Sequence, residues 1–110
     1  MLILMVDDLP HTKDEYLAPG FYPHLFAITV DAALHHLYTK PITHLYLDND
    51  LADHMEGIHI LQRLCWDGLV PPFVMPTTRN PVALRRMTDV LSLDLNRQQD
   101  LRTGWWQCQT

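Results

Sequence analysis

The pattern of this chain predicts an α/β fold: a single doubly wound parallel sheet of four to five strands, spanning residues 1–110 as one domain. Three observations carry that reading. Short unbroken apolar runs recur, as in strands buried on both faces. Stretches of helical periodicity separate them. Polar residues, many of them acidic, follow directly on the runs, and parallel sheets bind ligands just outside the carboxyl ends of their strands.

Each element has its own justification. Leu2-Ile3-Leu4-Met5-Val6 is apolar throughout and stops at Asp7-Asp8, which reads as the first strand. Pro10, Pro19-Gly20 and Pro23 leave room only for a loop or a short helix before the next strand, so the first helix is reduced. Phe26 to Val30 is rich in β-formers and gives the second strand. Asp31 can cap a helix running to about Lys40, with Leu34, Leu37 and Tyr38 on its apolar face. Pro41 ends that helix, and Thr43 to Leu47 forms the third strand, which delivers Asp48-Asn49-Asp50. After a loop with Asp53, Glu56 and Gly57 comes a helix from about Ile58 to Trp66, with Ile58, Leu61, Leu64 and Cys65 inward and a stop near Gly68. Phe73-Val74-Met75 is the fourth strand. Asn80-Pro81 then opens a helix with Leu84, Met87, Val90 and Leu91 at helical spacing. The tail around Trp105-Trp106-Gln107-Cys108 can supply a short fifth strand.

Composition narrows the function classes. With 47% apolar and 19% charged residues the chain is an ordinary globular protein, expected to leave about 6,300 Å² exposed. A net charge of −5 argues against a general coat for duplex nucleic acid. The charge is uneven: residues 1–56 hold nine acids against Lys13 and Lys40, while residues 57–110 hold six arginines against four acids. Two cysteines, Cys65 and Cys108, match neither a disulfide framework nor a metal spacing, so a reduced, cytoplasmic setting is expected. No apolar run approaches a membrane span, and the start of the chain lacks the basic segment of a signal peptide.

Three strand ends carry the polar residues that matter: Asp7-Asp8, Asp48-Asn49-Asp50 and Thr77-Thr78-Arg79-Asn80-Pro81. Carboxylates converging from adjacent strands repel one another unless a cation neutralises them, and hard oxygen ligands suit Mg²⁺ or Mn²⁺. Asp7, Asp8 and Asp48 are therefore the expected metal ligands. Threonine hydroxyls, an arginine and a helix start are the usual phosphate receptors, which makes Thr77, Thr78, Arg79 and Asn80 the expected substrate-binding set.

On these residues the chain resembles the receiver domains of response regulators, with their receiver (flavodoxin-like) fold. Asp7-Asp8 match the acidic pair, Asp48 the phosphoacceptor and Thr78 the hydroxyl residue. No lysine follows Lys40, so the lysine a receiver carries after its fifth strand has no counterpart. The chain is more closely similar to the small cyclic-phosphate processing receiver-like family, through Val6-Asp7-Asp8, Leu47-Asp48-Asn49-Asp50-Leu51 and Thr77-Thr78-Arg79-Asn80-Pro81, over about residues 2–91. That resemblance implies attack on a cyclic nucleotide or a cyclic-phosphate RNA end; combined with the metal reading of the carboxylates, it makes Asp48, Asp50 and Thr78 the expected catalytic residues, with Asp50 a candidate base. Asn49 and Thr77 stand where the family has histidines. His54, His11 or His44 would have to stand in for them, with His54 the best placed.

Two readings follow. One is a metal-dependent phosphoesterase acting on a phosphate-containing small molecule or RNA end; the other is a receiver-like module that binds a phosphate compound or a protein partner without turnover. Arg85 lies one turn into the last helix, within reach of an anion. Trp105 and Trp106 read as core closure or as a homodimer contact rather than a stacking platform for bases.

Overall fold

The computed structural model describes residues 1–9 and 17–109. The elements run β1 (Ile3–Val6), β2 (Leu25–Ala27), α1 (Val30–Thr39), β3 (His44–Leu47), α2 (Gly57–Asp67), β4 (Phe73–Pro76), α3 (Pro81–Asp89), a π-helical turn (Val90–Asp94), β5 (Arg97–Gln99) and β6 (Trp106–Cys108). The sheet has the order β2-β1-β3-β4-β6-β5. Strands β1 to β4 are parallel, as expected, while β6 lies antiparallel to β4 and β5 antiparallel to β6. The sheet is thus mixed and six-stranded rather than parallel and four- or five-stranded. The α3 crossover brings β5 back parallel to β4, but the short turn after β5 folds β6 back as a hairpin strand, which inserts antiparallel between them.

Side-chain alternation divides the apolar residues into two cores. Leu4, Val6, Leu45, Leu47 and Val74 face one side, where Ala33 and Leu37 of α1, Ile58, Leu61 and Leu64 of α2, and Met87 of α3 cover them. Ile3, Met5, Tyr46 and Met75 face the other, where Ala18, Leu17, Phe21 and Trp105 close the sheet. All three helices among the described residues therefore pack on one face of an α/β sheet whose parallel strand order fits the expected flavodoxin-like type. The opposite face is closed by rings and a loop. Trp105 lies against Tyr46 at 4.7 Å and His44 at 4.9 Å between ring centroids. The Tyr46 hydroxyl accepts from the Ala18 N–H and donates to the Phe21 carbonyl, which pins residues 18–21 over the sheet. The exposed area, 6200 Å², agrees with the expectation from size.

Several local expectations shift. Thr29, not Asp31, caps α1: its hydroxyl accepts from the Ala32 N–H, which ends β2 at Ala27 and leaves Asp31 as a first-turn acid. Tyr38 is exposed and its hydroxyl donates to Asp67, so Ala33 takes the core position Tyr38 was expected to hold. Gly68 closes α2 in the left-handed region at φ 69°, and Asn80 with Pro81 opens α3, both as expected. Residues 10–16, part of the expected loop or short helix and including His11, lie outside the described residues.

Candidate metal and phosphate site

The site is fixed first by backbone. Each parallel strand keeps its ladder for one residue past its end: the Asp7 N–H donates to Ala27 O (3.0 Å), the Asp48 N–H to Val6 O (2.9 Å) and the Thr77 N–H to Leu47 O (2.9 Å). With neighbouring strands about 4.8 Å apart, Asp7, Asp48 and Thr77 stand in one row across β1, β3 and β4. The strand order reverses between β1 and β3, with β2 on one side and β3 and β4 on the other. That is the switch point at which open α/β sheets form a crevice.

The three expected metal ligands converge there. One carboxylate oxygen from each of Asp7, Asp8 and Asp48 lies within 4.8 Å of the other two. Asp7 and Asp48 are buried, and Asp7 also accepts from the Leu9 N–H at 2.9 Å, which orients its carboxylate. An all-oxygen donor set with buried members fits a hard divalent cation such as Mg²⁺ or Mn²⁺. Beside it Thr77 is 2% exposed, and its hydroxyl oxygen is buried with no hydrogen-bond partner among the described residues. Thr78, also buried, accepts from the Asn80 N–H at 3.2 Å and keeps its own hydroxyl proton to donate.

Other expected members are placed differently. The start of α3 was expected to offer open N–H groups to an anion. Instead the Asn80 side-chain oxygen accepts from both Val82 N–H (3.0 Å) and Ala83 N–H (3.3 Å), so these donors are already satisfied. Arg79 is exposed in the turn between Thr78 and Asn80. Arg85 pairs with Asp89 one turn on, at 3.2 Å. Asp50 is outside the carboxylate triad. It lines a pocket of about 180 Å³ with Leu51, His54, Met55 and Glu56. His44 sits at the opposite end of β3, about 13 Å along the strand from Asp48, stacked on Phe73 at 4.5 Å. It cannot serve the site, and burial pushes its imidazole below the ordinary histidine value.

Sequence reasoning missed the connection between Asn49, Glu56 and Gly57. The Asn49 amide donates to Glu56 Oε2 (3.0 Å) and accepts from the Ile58 N–H (3.3 Å), while its backbone oxygen accepts from the Gly57 N–H (2.7 Å). Glu56 also pairs with Arg86 at 3.7 Å, joining this loop to α3. The Asn49 amide, helped by the positive charges of Arg86 and His59, holds Glu56 below the usual carboxylate range. Gly57 is compulsory for this approach, because a Cβ there would lie 1.9 Å from the Asp48 carbonyl oxygen. The one sequence signal was a glycine at the first helical position, where glycine has no intrinsic advantage.

Comparison with curated proteins finds no match. The family model described as the cyclic-phosphate processing receiver domain matches residues 2–93, from β1 through the π-helical turn and short of the β5–β6 hairpin. That stretch contains the Asp7-Asp8-Asp48 triad and the Thr77-Thr78 pair, and it covers most of the 110 residues, so the chain belongs to the cyclic-phosphate processing receiver domain family.

Proposed function

We propose that this domain takes a cyclic phosphate, on a nucleotide or an RNA end, at the carboxyl edge of β1, β3 and β4 and opens it hydrolytically with a divalent cation held by Asp7, Asp8 and Asp48. The observation that carries the reading is the triad itself, three carboxylate oxygens within 4.8 Å beside a buried threonine hydroxyl with no hydrogen-bond partner among the described residues. When bound, the cation would polarise a phosphoryl oxygen and lower the pKa of water. The chain's own share is placement and charge. Thr77 and Thr78 donate hydroxyl protons to non-bridging phosphate oxygens, and Arg79 offers a planar fork to the same group. Asp48, whose backbone is fixed by its N–H on Val6 O, would present its carboxylate to the cation. Ring opening adds one water across one P–O ester bond, leaving a phosphomonoester and a free hydroxyl.

A second reading, binding of the cyclic phosphate without turnover, is supported by Asn49. Its amide is engaged by Glu56 and Ile58 and has no titratable proton, and Asp50 lies in the loop pocket rather than in the triad. A panel of cyclic nucleotides and cyclic-phosphate RNA ends, assayed with and without Mg²⁺ or Mn²⁺, separates the two. Metal-dependent release of phosphomonoester supports hydrolysis; metal-dependent binding without product supports the second. Saturating Mg²⁺ should also raise the melting temperature, by about 2.7 kcal/mol of stabilisation at 100 times its dissociation constant, and Asp48→Ala should abolish that gain. Identical melts with and without millimolar Mg²⁺ would remove the metal from both readings.

A further inference from the structure

The pocket lined by Asp50, Leu51, His54, Met55 and Glu56 is not part of the triad, and its chemistry differs from that of a phosphate site. Two carboxylates repel an anion. A metal is also the wrong occupant, since among the described residues only Asp7, Asp8 and Asp48 bring three ligand atoms together. What remains suits a small flat ligand with N–H donors on its edge. Leu51 is buried and gives an apolar floor, and Met55, 46% exposed, offers a polarizable thioether that packs well against aromatic rings. Glu56 is fixed by Asn49 and Arg86 through one oxygen, Oε2. The backbones of Asp50 and Glu56 pair across an antiparallel bridge, which sets their side chains at the mouth of one cavity. At about 180 Å³ the cavity has room for roughly six waters, enough for one ring system and too little for a dinucleotide.

We infer that this pocket is a nucleobase subsite that selects guanine, with the Asp50 carboxylate accepting from the adjacent N1–H and N2–H groups of the base. The inference rests on the reading that the strand-end site takes a cyclic phosphate. Asp50 follows Asp48 by two residues, so at most about 7 Å of chain separates them, and the sugar of a nucleotide would lie between the triad and the pocket. Guanine alone presents two adjacent donors to one carboxylate. Uracil flanks its single N–H with carbonyl oxygens that a carboxylate opposes. A site built to accept hydrogen bonds discriminates strongly against a ligand that leaves it unpaired.

The test uses bare nucleosides, which carry no phosphate. Guanosine, inosine and uridine are titrated into the protein while the Met55 methyl and His54 ring resonances are followed by NMR. Guanosine should bind at least tenfold more tightly than uridine, with inosine, which lacks the N2 amine, between them. Asp50→Asn should erase most of the difference while the spectrum stays that of a folded chain. Equal affinity for the three nucleosides, or shifts that avoid Met55 and His54, would overturn the inference. The corresponding 2′,3′-cyclic phosphates separate its failure from that of the phosphate reading. If the cyclic phosphates bind more tightly than the nucleosides but equally for every base, the phosphate site stands and the base pocket falls. If guanosine is selected but the cyclic phosphate adds nothing, the pocket stands and the phosphate reading falls.

Discussion

Asp48 depends on neighbours that carry no chemistry of their own. Gly57 lets α2 begin directly against the Asp48 carbonyl, and Gly57→Ala would place a methyl group 1.9 Å from that oxygen. The gain in helix propensity is about 1 kcal/mol, and overpacking against a fixed strand end costs 1–3 kcal/mol or more. Thermal melts should therefore show a net loss of up to about 2 kcal/mol or more, with weakened Mg²⁺ stabilisation because the Asp48 backbone must move. His44 makes a different residue-scale prediction. Burial lowers its pKa, so as the pH falls through the ordinary histidine value the unfolded chain takes up its proton before the folded chain does. Its contribution to stability is complete above about pH 6.5, the ordinary histidine value, and declines as the pH falls below it. A melt series from pH 7.5 to 5 should slope downward in the native protein and be flatter in His44→Phe, which keeps the stacking on Phe73. At this scale the acids of the triad were legible because they stand at the ends of apolar runs, Asp7-Asp8 after Val6 and Asp48 after Leu47. Asn49 and Glu56 were not, because their partnership spans a loop that the sequence does not fold by itself.

Among the elements, those with self-contained signals were read well. The Asn80-Pro81 start and the Gly68 stop depend on one or two residues and appear where expected. The start of α1 was misread because Thr29 and Asp31 are both good caps, and the choice falls to the residue whose hydroxyl reaches the Ala32 N–H. The second strand was overextended for the same reason, since Ile28 to Val30 have β propensity but Thr29 already belongs to the helix cap. The cap of α3 carries its own test. Asn80→Ala removes the oxygen that satisfies two helix N–H groups and should destabilise the domain by about 1 kcal/mol in a denaturant titration. Because those donors are satisfied by the protein, phosphate binding should weaken in this variant no more than the displaced Thr78-Arg79 turn dictates. A gain in affinity on opening the cap would show that the helix start is itself an anion receptor.

At the scale of the whole molecule the α/β receiver-type sheet is as expected, and what the described residues add is the β5–β6 hairpin and an aromatic cover opposite the helices. Helical periodicity in the sequence revealed three helices but not that all three share one side, because handedness and order of crossovers are set by tertiary packing. The far face is instead covered by Trp105 and the loop that Tyr46 ties down, and Trp105 is core rather than a contact for a second copy. Trp105→Ala should cost about 3–5 kcal/mol, a large part of the 5–15 kcal/mol typical of a domain. Calorimetry should show a sharply lowered melting temperature; a change of only a few degrees would mean that the aromatic face contributes little. The paired tryptophans signalled burial, yet the strand β5 that helps position them was missed, since Arg97-Gln98-Gln99 has no apolar run. Pairing with β6 makes it a strand, and the buried Arg97 guanidinium donates to the carbonyls of Val70, Pro71 and Pro72, tying the hairpin to the segment that leads into β4.

Because β6 runs against β4, its beginning and not its end reaches the carboxyl edge of the sheet. Trp106 lies opposite Val74, so the turn 100–104 sits on the same rim as Thr77. That turn is closed on itself: the Asp100 backbone oxygen accepts from Thr103 and Gly104 N–H, and the Asp100 carboxylate holds Arg102. The rim therefore includes a segment that is anchored at both ends by strands and owes nothing to the packing of a helix. Such a segment can be lengthened or recharged independently of the carboxylate row, which makes it the natural graft point for retuning which ligands reach the edge.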